Sequence, residues 1–176
     1  LFILVSQSGE TKDLHRCISM IEQTDSTILG VVNVPDSLIA RESQCGVYLN
    51  AGREVGVAST KAFTSQIIVL SLISIWFSQI HETFPKLRGE VVSYLRQVTG
   101  QIKQTIEISK PVCEEISKEL IKKKSLFILG KGKSYPIARE GSLKIKEITY
   151  IHAEGYSGSS LKHGPFGLLE PDFPVI

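Results

Sequence analysis

The chain has 176 residues, 42% of them hydrophobic and 22% charged, with a formal net charge of +2. That is enough for one full α/β domain or for parts of two, with a sizeable buried core. The charge is too small and too scattered to form the basic stripe that nucleic-acid binding needs, so no nucleic-acid partner is expected.

The one basic cluster, Lys122-Lys123-Lys124, reads as a solvated helix end. Cys17, Cys45 and Cys113 are far apart, odd in number and without a CxxC spacing, which predicts reduced thiols in a cytoplasmic protein rather than disulfides or a zinc site. The longest apolar stretch, Ile67 to Phe77, is interrupted by Ser71 and Ser74. It falls short of the roughly twenty residues that span a bilayer and predicts a buried helix, with no membrane partner. The chain starts inside the run Leu1–Val5, with neither an initiator methionine nor a signal peptide, and stops at Phe173–Ile176, which reads as the opening of a strand. Both ends are expected to continue in a longer polypeptide.

Strand-like and helical stretches alternate. Leu1–Val5 predicts a strand, and about Glu10 to Gln23 a helix. Thr27–Val32 is a second strand-like run, Ser37–Ser43 a short helix and Cys45–Leu49 a third strand. Continuous apolar runs of this length suit strands buried on both faces of a parallel sheet. A long helix is expected from Thr60 to Gln79, with Pro85 marking the break after it. Two more are expected, Lys86–Ser109 and Pro111–Lys122, the latter opening on a proline and closing on lysines. The pattern then restarts with a strand at Ser125–Leu129, a tight loop at Gly130–Ser134 and a helix from Pro136 to Tyr150. This predicts an α/β fold of doubly wound parallel sheets flanked by helices, with an internal duplication and both halves incomplete. The expected organisation is one subdomain over 1–85, connecting helices over 86–124 and a second subdomain over 125–176.

Ser6-Gln7-Ser8-Gly9-Glu10-Thr11 lies between a strand and a helix. Ligands of open parallel sheets gather at the carboxyl ends of strands, where helix starts offer free amides and partial positive charge to an anion. Three hydroxyls and a glycine suit a phosphate monoester, and the absent G-K-[ST] lysine excludes a P-loop. Ser8 acting only as a helix cap is the simpler account of these residues alone. On the later helix, Glu140, Lys144 and Glu147 stand at i, i+4 and i+7 and share a face. A surface ladder of ion pairs, each worth about 0.2–0.5 kcal/mol, explains that spacing equally well.

Taken together, Ser6–Thr11, the run A-G-R-E-V-G-V-A-S-T-K-A-F-T-S-Q over Ala51–Gln66, and the run from Gly130 to Leu169 with E-G-S-L-K-I-K-E-I and L-K-H-G-P resemble a known family. They are similar to the two sugar-isomerase (SIS) subdomains of the glucosamine-6-phosphate synthase family, over nearly the whole chain. The resemblance implies that Ser6, Gln7, Ser8 and Thr11 hold a sugar phosphate, while Val57 and Ser59 line the sugar pocket. It puts Glu147 at the family's proton-transfer base, Lys144 at a pocket lysine, Glu140 at a carboxylate expected to orient it, and His163 at the ring-opening histidine, which the family takes from the neighbouring subunit of a homodimer.

These residue types fit the chemistry. Moving hydrogen between C1 and C2 needs one base that takes and returns a proton on one face, and a glutamate whose pKa is raised by partial burial suits that job. Ring opening suits a histidine, and an ammonium can stabilise enediol-like charge. The implied substrates are fructose 6-phosphate and, as product, glucosamine 6-phosphate. The implied partner is a glutaminase domain in the same parent chain, and no cofactor or metal is expected. His15, His81 and His152 lack ligand spacing, and His152 reads as structural.

This stretch departs from the family at Ser160, where a glutamate is usual, and at Lys131, where an arginine is commoner. The family's imine-forming lysine belongs to a tail beyond this stretch, so no lysine here is given that role, and the stretch alone is not expected to complete the synthase reaction. A stand-alone SIS isomerase or deglycase, and a non-catalytic sugar-phosphate-binding module, remain open as alternatives.

Overall fold

Five residues of one central strand organise the first half. In the computed structural model, which describes residues 1–176, β1 (Phe2–Ser6), β2 (Ile28–Val32) and β3 (Cys45–Tyr48) form a parallel sheet in that order. Every residue of β2 is buried. Alternation along it sends Ile28 and Val32 to one face, with Leu4, Ile18, Ile21 and Ile39 under α1 (Lys12–Ile21) and α2 (Leu38–Glu42). Leu29 and Val31 go to the other face, with Leu49, Ala62 and Ile73 under α3 (Lys61–Ile80). A strand covered on both faces has no use for polar alternation, which is why Ile-Leu-Gly-Val-Val reads as an unbroken run. Each of its four large side chains stabilises the unit by about 1.5–3 kcal/mol through burial.

Helix α3 agrees in extent with the helix expected over Thr60–Gln79 but departs from the expected burial, and by length and composition alone it could cross a membrane. Ser71 and Ser74 break the apolar run but lie within the helix, where their hydroxyls donate to the carbonyls of Ile67 and Leu70 at 2.8 and 2.9 Å. Only Ala62 and Ile73 are buried, so one face packs on the sheet while Leu72 and Trp76 are exposed.

A second correction concerns Pro111. In place of two helices, one helix, α4, runs from Pro85 to Leu120 with Pro111 inside it and no buried residue. An internal proline loses one helical hydrogen bond and crowds the preceding turn, and the long helical stretches on both sides carry the helix past it. Pro85, expected as a break, opens α4 as its first residue, where a missing amide costs nothing. The chain divides into two compact units within α4, Leu1–Thr99 and Gly100–Ile176.

In the second unit, β4 (Ser125–Gly130) pairs in parallel with β5 (His152–Ser157) through α5 (Ser134–Thr149). A Cβ on Gly155 would meet the Arg139 Cα at 2.6 Å, so a glycine there lets α5 lie close on β5. Val175 bridges Phe127 on the other edge of β4, where the Ile176 amide donates to the Phe127 carbonyl at 2.9 Å. The strand-like reading of Phe173–Ile176 is seen in that pairing. β5 itself was not expected, because His-Ala-Glu-Gly-Tyr-Ser carries no apolar run. Pairing with β4, and an aromatic cluster of Phe127 with Tyr156 and Phe173 at 5.1 and 4.6 Å, hold it in place. Both sheets are parallel and flanked by helices, as the alternation predicts.

Candidate active site

The turn after β1 is cross-linked through its own hydroxyls. Ser6, 5% exposed, accepts the Gly9 amide at 3.0 Å and shares a 2.9 Å hydrogen bond with the Thr11 hydroxyl. Ser8 accepts the Glu10 amide at 3.2 Å. Gly9 has a φ of +70°, and a Cβ there would meet Ser37 Oγ at 1.9 Å, so only glycine fits. Two bonds strap the turn to α2: Leu38 N–H donates to Glu10 Oε1 at 2.8 Å, and Ile39 N–H to the Gly9 carbonyl at 2.9 Å.

Neither Ser8 nor Thr11 caps α1 in this arrangement. Its start carries no side-chain cap, because the Thr11 hydroxyl is turned to Ser6. Amides in the first turn of α1 therefore stay available to an anion, with Ser8 and Thr11 beside them. Ser6 serves this arrangement from inside the turn.

The second loop follows β3. Ala58 is buried and Ser59 half-buried, whereas Val57 stands 92% exposed. Ser59 is thus partly covered, and Val57 is open to solvent. Two residues that motif reading did not single out hold this loop. Glu54 accepts amides at the start of α3, from Ala62 at 2.8 Å and from Thr60 at 3.3 Å. Asn33, just past β2, bonds to Ala51 and Gly52. An acid seven residues before a helix start is a faint signal for the first, and nothing in the sequence marks the second.

On α5, Lys144 Nζ lies 2.8 Å from Glu147 Oε2 and 3.4 Å from Glu140 Oε1. The side chains are 19%, 29% and 26% exposed respectively. Burial alone pulls the lysine pKa down, but the Glu147 hydrogen bond and the Glu140 charge outweigh it, and the net shift is upward from 10.5. Lys144 is thus an ammonium at neutral pH, suited to stabilising negative charge and unsuited to removing a proton.

Glu140 also lines an open cleft of about 540 Å³ with Arg139, Glu154 and Tyr156. There the Tyr156 hydroxyl donates to Glu154; this bond, with burial, raises the tyrosine pKa. His163 ends a short 3₁₀ turn (Ser160–Lys162), is exposed and has no salt-bridge partner, with Ser160 accepting its backbone amide at 3.0 Å. The structure brings Glu140, Lys144 and Glu147 together; His163 stands apart from their ion pairs.

Parallel strands joined through helices, in a three-stranded and a two-stranded sheet, make this an α/β protein. The SIS domain model matches residues 1–75 and 119–176, and the chain belongs to that family.

Among its relatives, a glutamine–fructose-6-phosphate aminotransferase [isomerizing] of Encephalitozoon cuniculi is 43% identical over 176 residues. The human glutamine–fructose-6-phosphate aminotransferase [isomerizing] 2 is 40% identical over 172. Each match covers 98% of this chain and 25% of the relative, so the chain spans about a quarter of their length. The solved C-terminal domain of glucosamine-fructose-6-phosphate aminotransferase from Francisella tularensis superposes with a TM-score of 0.93 at 34% identity, covering 99% of this chain and 49% of that one.

Proposed function

We propose that this chain is isomerase machinery of a glutamine:fructose-6-phosphate aminotransferase. Fructose 6-phosphate and ammonia would give glucosamine 6-phosphate and water. The first unit contributes phosphate recognition, through Ser8, Thr11, Gln7 and the free amides of α1, with Ser6 fixing the turn. Ser59, and Val57 from its exposed loop, serve the sugar. The second unit contributes the acid–base groups. His163 opens the ring by proton transfer, and Glu147 takes a proton from C1 of the open-chain imine and returns it at C2. Lys144 holds the negative charge that develops on the sugar oxygen, with Glu140 orienting its ammonium. None of these steps requires a cofactor or a metal.

The observation that carries this reading is the half-buried Glu140–Lys144–Glu147 cluster, in which a permanent ammonium lies 2.8 Å from the assigned base. Relatives four times as long support a parent chain with a further, ammonia-supplying glutaminase domain. The parent is proposed to be a cytoplasmic homodimer, with His163 provided across subunits.

The test is Glu147→Gln in the full-length protein. Formation of glucosamine 6-phosphate should fall about 10²-fold or more, the usual contribution of a general base, with hexose phosphate binding preserved. Unchanged turnover would overturn the assignment.

A further inference from the structure

Asn33 lies immediately after β2, is 8% exposed and makes three hydrogen bonds, all to loops. Its backbone amide donates to the Gln7 carbonyl at 3.2 Å, inside the turn after β1. Its side-chain oxygen accepts the Ala51 amide at 2.9 Å, and its side-chain nitrogen donates to the Gly52 carbonyl at 2.8 Å. One residue therefore holds both ligand loops of the first unit, one through main chain and the other through side chain.

The chemistry of that side chain is specific. Ala51 offers a donor and Gly52 an acceptor on consecutive residues, so the group between them must present an acceptor and a donor at one fixed spacing. The asparagine amide does so on two separate atoms without any change of protonation. A carboxylate of the same shape would set its charge against the Gly52 carbonyl, and an apolar side chain would leave two backbone groups unpaired.

The loop beyond is pinned again at Glu54, by the Ala62 and Thr60 amides. Residues 51–59 are thus tethered at both ends, with the exposed Val55 and Val57 between the tethers. Without the Asn33 side chain, the turn after β1 keeps all its bonds, including the one from the Asn33 amide. The loop of 51–59 loses its tether to β2.

We infer that Asn33 is a positioning residue that sets the sugar loop (51–59) in register with the phosphate turn (6–11). This rests on the functional reading for what the loops bind, but the tethering itself stands on the geometry. Asn33 touches no reacting atom. It acts through Ser59 and Val57, and small misplacements of positioned groups cost large factors in rate and binding.

The experiment uses the full-length protein with Asn33→Ala and Asn33→Asp. Inorganic phosphate, as a competitive inhibitor, reports on the turn alone, and fructose 6-phosphate reports on turn and loop together. For both variants KM for fructose 6-phosphate should rise about tenfold while the phosphate inhibition constant stays within about twofold. Amide hydrogen exchange should quicken at least about tenfold across 51–59 and hold steady across 7–11.

Equal shifts in both constants would mark general destabilisation and overturn the inference, as would unchanged exchange in the loop. If the Asn33 variants do not fold, Glu54→Ala frees the other end of the same loop and must produce the same split, with Glu54→Gln partly restoring it; otherwise the inference fails. Should the wild-type protein neither turn over nor bind hexose phosphate, the functional reading falls. The exchange data still decide whether Asn33 tethers the loop.

Discussion

On α4, Lys110 and Glu114 stand four residues apart with their charged groups at 4.0 Å and side chains 73% and 66% exposed. On α5, Lys144 and Glu140 are also four residues apart, but at 3.4 Å, mostly buried, and joined by Glu147 at 2.8 Å. The spacing is the same and the surroundings differ. Water screens the α4 pair and leaves its lysine free to move, whereas packing of α5 on β4 and β5 holds Lys144 between two carboxylates. Partial burial thus fixes on α5 a geometry that the same spacing leaves loose on α4.

That contrast can be broken most forcefully at Glu147. With Gln there, a loss of turnover near 10²-fold or more is expected, and no residue of the α4 pair should approach it. Next comes Lys144→Met, expected to lower kcat about 10²-fold if its charge has the proposed role in the transition state, and to cost stability on the order of 1 kcal/mol by leaving two carboxylates together.

Its pH dependence has a definite sign. Folding raises the Lys144 pKa above 10.5, so the stabilisation is fully present below that value and is lost as pH rises through the higher folded value. The stability gap between wild type and Lys144→Met should hold constant from neutral pH to about 10 and close only beyond. A gap that closes near pH 7 would contradict the assignment.

A double-mutant cycle gives a smaller and cleaner comparison. Glu140 with Lys144 should couple by about 1 kcal/mol in denaturant unfolding, against about 0.3–0.5 for Lys110 with Glu114. The smallest effect is Lys110→Ala alone, which should change stability by less than about 0.5 kcal/mol and leave turnover unaltered.

The element order was readable because its physics is local. Apolar runs such as Ile28–Val32 have to be buried, and the alternation with helical stretches predicted parallel sheets without reference to any partner residue. Misreadings arose where local signals were overruled. Pro111 lies inside α4 because flanking turns carry the helix through it, and β5 exists through its pairing with β4 and the ring contacts of Tyr156. Helix α3 was expected to be buried from its apolarity, yet the sheet covers only one of its faces.

For the candidate site, the sequence by itself determined residue types and helical spacing. Hydroxyls around Gly9 and the face shared by Glu140, Lys144 and Glu147 follow from covalent order and a period of 3.6 residues. Tertiary structure decided which of those groups are free. It turned the Thr11 hydroxyl onto Ser6 and away from α1, left Val57 exposed, and kept Lys144 charged between two acids. It also recruited Asn33, whose partners lie 18 and 19 residues along the chain. Hydrogen bonds over such separations depend on how β2 and β3 are laid side by side, and no local pattern in the sequence encodes that.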